Sequence, residues 1–149
     1  MVFDTMVIAY ALLGFTEFHN DSIAALRAAE EVWAPDLLRA ELLNVLWQWS
    51  RARQLAPEAA QALIAESEDL VQLVPTDELR EPALDLAITR DHPAYDTLFV
   101  ALAAVRGWKV ITYDQKMLQK FPEWAISVPE FLSGIATPRP QWPPARPRR

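Results

Sequence analysis

Short apolar runs alternate with stretches of helical periodicity along most of this chain. Residues 1–3 read as a minimal strand, and residues 7–13 as the helix after it, ended by Gly14. Asn20 or Asp21 can cap a helix over 22–30. Val32 and Trp33 make a short strand, and Pro35 suits the first turn of a long helix running to Arg53. Leu38, Leu42, Val45, Leu46 and Trp49 give that helix its apolar stripe. Pro57 opens a helix over 58–70, and residues 71–74 form a strand. Thr76 or Asp77 caps a segment to Thr89, with Pro82 confining its regular part to the residues after it. Pro93 starts a helix through Arg106, ended by Gly107. A strand over 108–112, a short helix over 115–120, a strand over 125–128 and one turn over 129–132 complete the order. Strands spaced by helices predict an α/β fold of three layers, α/β/α, with a mostly parallel central sheet and right-handed crossovers.

Composition breaks once. After Ile135, residues 136–149 hold five prolines and four arginines (Arg139, Arg146, Arg148 and Arg149). That density cannot continue a helix or a central strand, so the expectation is one domain over 1–135 and a flexible Pro/Arg-rich tail over 136–149. Solvated disorder is the favoured state of that tail, with RNA tethering through its arginines as the competing reading. All 20 acidic residues precede the tail, against 10 of the 14 basic ones. An acidic body excludes broad neutralisation of phosphates by clustered Lys and Arg. It leaves room for a nuclease whose acids are masked by cations. Cysteine is absent, which removes disulfides, thiolate metal sites and a Cys nucleophile together. Two histidines, His19 and His92, rule out a His-rich zinc site, and three glycines cannot build a Gly-rich phosphate loop. No apolar run approaches the ~20 residues of a membrane span, and the start lacks the plan of a signal peptide. The expectation is a soluble, cytoplasmic protein built to do carboxylate chemistry.

Four acids stand in apolar surroundings. Asp4 and Asp114 end predicted strands at the carboxyl edge of the sheet, where open α/β sheets place their ligands. Each has a bland alternative as a helix cap. Thr112, two residues before Asp114 and on the same side of the strand, is placed to orient that carboxylate. Glu41 falls on the apolar stripe of the long helix, where a charge is costly unless it is paired or metal-bound. A salt bridge to Arg39 or Arg90, or a stripe edge open to water, is the alternative. Asp96 opens the nearly all-apolar segment 96–105, where the helix dipole favours an acid without any function. Converging carboxylates repel one another and would take up protons or a cation. Hard oxygen donors without His or Cys suit Mg²⁺ or Mn²⁺.

In order, the segments Val2-Phe3-Asp4-Thr5, Ala40-Glu41-Leu42-Leu43-Asn44, Tyr95-Asp96-Thr97-Leu98-Phe99 and Val110-Ile111-Thr112-Tyr113-Asp114 resemble the four motifs of the PIN-domain nucleases, especially their VapC-like toxin members. The likeness spans residues 1–132. It implies a PIN-like fold and a metal site built from Asp4, Glu41, Asp96 and Asp114. It also implies Mg²⁺- or Mn²⁺-dependent cleavage of RNA, a cognate antitoxin as partner, and a homodimer. Three of the acids (Asp4, Asp96 and Asp114) would hold the ion or ions, and Glu41 a second ion or the attacking water. Cleavage would leave a 5′-phosphate and a 3′-hydroxyl.

One residue departs from the family. Two places after the first Asp, where Asn or Ser is usual, stands Met6, which neither donates nor strongly accepts a hydrogen bond. The second reading is therefore a PIN-like module that binds a partner and catalyses weakly or not at all. A receiver-like phosphoacceptor fits poorly, since Lys109 begins a late strand instead of following it. Trp47 and Trp49 are too close in sequence to share a helix face. Both could cover core or dimer surface, or one could stand exposed to a partner.

Overall fold

Buried backbone needs partners, and five short apolar segments find them in one another. The computed structural model describes residues 1–135, so the tail over 136–149 lies outside the described residues. The strands are β1 (Val2–Phe3), β2 (Trp33–Pro35), β3 (Gln72–Val74), β4 (Val110–Thr112) and β5 (Ala125–Ser127). They lie in the order β3-β2-β1-β4-β5, with all pairings parallel. Val2 sits beside Trp33 on one side and Val110 on the other, and Phe3 sits beside Ile111. Val2, Phe3, Val110 and Ile111 are wholly buried, as expected of central strands covered on both faces.

The helices are α1 (Thr5–Leu12), α2 (His19–Ala28), α3 (Leu37–Arg51), α4 (Pro57–Leu70), α5 (Arg80–Arg90), α6 (Ala94–Arg106), α7 (Gln115–Lys120) and α8 (Val128–Ile135). Helix α6 packs along β1, β2 and β4, and α5 lies on α6. Helix α8 packs on β4 and β5 and against α2, which lies on α1. The result is the expected three-layer α/β/α fold. A main core gathers Phe3, Phe99, Leu102 and Ile111 around the sheet. A smaller one, built from Ala9, Leu13, Leu42 and Leu46, joins α1 to α3, with Trp49 and Leu63 at its margin.

Several boundaries differ from the sequence reading, each for a local reason. Helix α1 begins at Thr5, not Val7, because Asp4 already holds the extended conformation of an N-cap (φ −68°, ψ 149°). Asn20 and Asp21 lie inside the first turn of α2. Phe18 stands at the helix entry instead, its ring 4.8 Å from that of Tyr10 and 4.9 Å from that of Tyr113. Pro35 ends β2 and does not open α3. It costs no ladder bond, since β1 pairs with β2 only at Trp33 and the bond to Val74 comes from the next amide, Asp36 N–H to Val74 O at 2.8 Å. Pro82 sits within the first turn of α5, where helix amides lack intrahelical partners anyway. Gly107 caps α6 in the left-handed region (φ 65°), as expected.

The strand order places the site. From β1 the chain builds outward to β2 and β3, then returns past β1 to lay down β4 and β5. The reversal falls between β1 and β4, leaving a crevice beyond their carboxyl ends.

Candidate active site

Asp4 and Asp114 leave the two strands that flank this crevice. The Asp4 amide donates to Ile111 O at 3.0 Å, carrying the parallel ladder one step past β1. Thr112, wholly buried at the end of β4, donates its hydroxyl to Asp4 Oδ2 at 2.7 Å and accepts the Asp114 amide at 2.9 Å. Its side chain therefore orients the Asp4 carboxylate across the strands and only the backbone of Asp114. That corrects the expectation that Thr112 would orient the Asp114 carboxylate. The reason is register: Thr112 lies one step beyond Ile111, the partner of Phe3, and so faces Asp4. Asp114 caps α7 through Oδ1, which accepts from the amides of Lys116 (2.7 Å) and Met117 (3.2 Å). The cap reading of Asp114 thus holds, with its other oxygen left for the cleft. Asp4 stands at the N-cap of α1 without a side-chain capping bond.

Glu41 comes from α3. Leu38, Leu42 and Leu46 bury one face of that helix, while Glu41, Asn44, Val45 and Gln48 repeat at three- and four-residue spacing along the edge that lines the crevice. Glu41 accepts a hydrogen bond from the Thr5 hydroxyl. The proposed alternatives of pairing with Arg39 or Arg90 do not occur: Arg39 pairs with Glu68 and Arg90 with Glu123. Asp96 stands in the first turn of α6, and its Oδ2 lies 3.0 Å from Nε2 of the buried His92.

All four acids line one cleft of about 510 Å³, together with Thr5, Met6, Asn44, Tyr10 and Tyr113. No lysine or arginine is among the described residues that line it. Burial, with the charges of Glu41 and Asp96 adding to it, pushes Asp4 up to about 7 against the pull of the Thr112 hydroxyl. Glu41 is raised by burial and by Asp96, opposed by the Thr5 hydrogen bond. Asp96 is raised chiefly by burial, with His92 opposing and Asp114 adding to the rise. A protein-only cleft of this kind holds protons it would release to a cation. Ligand atoms of His92, Asp96 and Asp114 lie within 4.8 Å of one another.

The sequence over 1–122 matches the family described as PIN domain. The chain belongs to that family. This PIN-domain protein is similar to Ribonuclease VapC3 of Pyrobaculum aerophilum, 30% identical over 125 residues that cover 82% of this chain and 95% of that protein. Among solved structures it resembles PAE2754 from P. aerophilum (TM-score 0.69, 22% identity, 91% and 93% of the two chains). It also resembles a toxin–antitoxin complex from Klebsiella pneumoniae (TM-score 0.61, 16% identity, 85% and 96%). These structural likenesses speak for the PIN fold.

Met6 lines the cleft of the PIN domain, but its neighbour Thr5 supplies the hydrogen bond to a carboxylate. Sequence reasoning passed over Thr5 and His92. A threonine beside the first Asp carries no signal of its own. Nor does His92, which stands before Pro93 and outside α6, so its four-residue spacing to Asp96 is not a helical one.

Proposed function

We propose that this PIN-domain protein is a divalent-metal-dependent endoribonuclease and the toxin of a toxin–antitoxin pair. The observation that carries the reading is the meeting of four carboxylates from four separate segments in one cleft, lined by no lysine or arginine among the described residues. Its chemistry fits a divalent ion: hard oxygen donors, with Asp4, Glu41 and Asp96 all held above the ordinary carboxylate range by burial. Asp4, Asp96 and Asp114 would hold the ion, and Glu41 would hold a second ion or position the attacking water. A bound divalent ion supplies charge to the phosphate oxygens and eases deprotonation of water. The chain's own residues set the geometry. Thr112 fixes the Asp4 carboxylate, Thr5 fixes Glu41, and the α7 cap fixes Asp114. The similarity to a protein named Ribonuclease VapC3 supports RNA as substrate, and the likeness to a toxin–antitoxin complex supports an antitoxin partner.

Unpaired RNA suits the cleft, where Tyr10 and Tyr113 among the lining residues offer rings on which bases can stack, backed by Phe18. Trp47 is 54% exposed and Leu43, one turn earlier on α3, is 51% exposed. That pair supports a surface covered by an antitoxin or a second copy, whereas Trp49 packs into the smaller core. No helix among the described residues is long and apolar enough to cross a membrane, which accords with action on RNA in the cytoplasm. The decisive experiment incubates the purified protein with RNA and Mg²⁺, with and without chelator, beside Asp96→Asn. Cleavage should vanish under chelation and in the variant; cleavage that survives both overturns the reading. Met6 in the cleft favours a second reading, a binding module without catalysis. Under it, calorimetry with Mn²⁺ would show no uptake that depends on Asp4 or Asp96.

A further inference from the structure

The histidine beside the acids has no role so far. Helix α5 ends at Asp91 in the left-handed region (φ 50°), and the chain then turns His92 inward before Pro93 opens α6. Its side chain is 3% exposed, and its ring lies edge-on to Phe121 at 5.3 Å. Yet Nε2 is fully buried and makes no hydrogen bond with acceptable alignment among the described residues. Its one close polar neighbour among the described residues is the Asp96 carboxylate, in an ion pair whose alignment is bent. The distances around it suggest what completes it. Nε2 lies 3.0 Å from Asp96 Oδ2, and ligand atoms of His92, Asp96 and Asp114 fall within 4.8 Å of one another. Two ligand atoms bound at ~2.1 Å and at right angles about one ion are roughly 3.0 Å apart, the edge of an octahedron. The close, poorly aligned approach of nitrogen to carboxylate oxygen has the dimension of such an edge.

We infer that His92 is a nitrogen ligand, through Nε2, to the divalent ion held by Asp96 and Asp114, and that it biases the site toward Mn²⁺ over Mg²⁺. Imidazole is a softer donor than carboxylate or water, and Mg²⁺ accepts it less readily than Mn²⁺ does. The inference rests on the metal-dependent reading of the cleft and adds to it one donor that the four acids do not supply. It also gives the buried nitrogen a partner beyond the Asp96 carboxylate.

The test is spectroscopic. Untagged protein is loaded with Mn²⁺ and its pulsed electron paramagnetic resonance recorded for modulation by a directly bound ¹⁴N. Labelling with ¹⁵N-histidine should replace the ¹⁴N pattern. His19→Gln should keep the signal and His92→Gln should lose it, with Mn²⁺ affinity falling at least about tenfold by calorimetry and Mg²⁺ affinity falling less. If His92→Gln does not fold, the labelled wild-type spectrum decides by itself. Stoichiometric Mn²⁺ uptake with no nitrogen modulation overturns the inference and leaves the carboxylate site standing, with His92 only orienting Asp96. Absence of any Mn²⁺ uptake overturns both.

Discussion

Asp4 ionises near 3.8 in an unfolded chain and at about 7 in the folded one. Between these values the native state keeps a proton that the unfolded chain has released, so stability falls as pH rises. Each pH unit in that interval costs about 1.4 kcal/mol, which sets a ceiling of about 4 kcal/mol by pH 8. Part of the residue reaches the cleft surface, and screening there brings the expected loss between pH 5 and 8 to roughly 1–3 kcal/mol. Asp4→Asn removes the titration while keeping an acceptor for the Thr112 hydroxyl. Urea unfolding in chelator at pH 5 and pH 8 measures the effect as variant minus wild type, which cancels the other carboxylates. The variant should gain on wild type by that margin as pH rises. Excess Mn²⁺ should reverse the sign, because an ion that binds only the wild type adds about 3 kcal/mol at a hundredfold excess over its Kd. A gap that stays the same at both pH values in chelator would refute the claim that burial holds the Asp4 proton.

Other consequences follow from single contacts. Thr112→Val removes the donor to Asp4 and the acceptor of the Asp114 amide. It should cost about 1–3 kcal/mol in urea and weaken Mn²⁺ uptake, with Thr112→Ser recovering most of both. Gly107→Ala puts a side chain at φ 65°, where its Cβ would meet nothing within 4 Å. Thermal melting should show a loss of about 1 kcal/mol from backbone conformation alone, and metal binding should not change. Phe99→Ala, in the middle of the main core, should cost about 3–5 kcal/mol by the cavity it leaves.

The fold was legible wherever periodicity and punctuation agreed. Pro57, Gly107 and the apolar stripe of α3 marked elements close to where they stand. What misled were residues whose local preference yielded to tertiary position. Pro35 reads as a helix opener but ends β2, because only β3 still runs alongside at that point. The four acids were legible as a set by their apolar settings, and they meet in one cleft. Their partners were not. Thr112 lies 108 residues from Asp4, and no rule of spacing along a strand could choose between Asp4 and Asp114 as its carboxylate partner. His92 was visible as a residue and invisible as a neighbour, since the left-handed turn at Asp91 that aims it inward has no glycine to announce it.

The strand order has a consequence for synthesis. Strand β4, which carries Thr112 and leads into Asp114, slots between β1 and β5 and is made after nearly three-quarters of the chain. A nascent polypeptide emerging from the ribosome therefore holds Asp4 at an open sheet edge, with neither its threonine clasp nor the fourth acid. The cleft that gathers all four acids cannot assemble before β4 and Asp114 have been made. A product that stops before β4 lacks Thr112 and Asp114, and with them one side of that crevice.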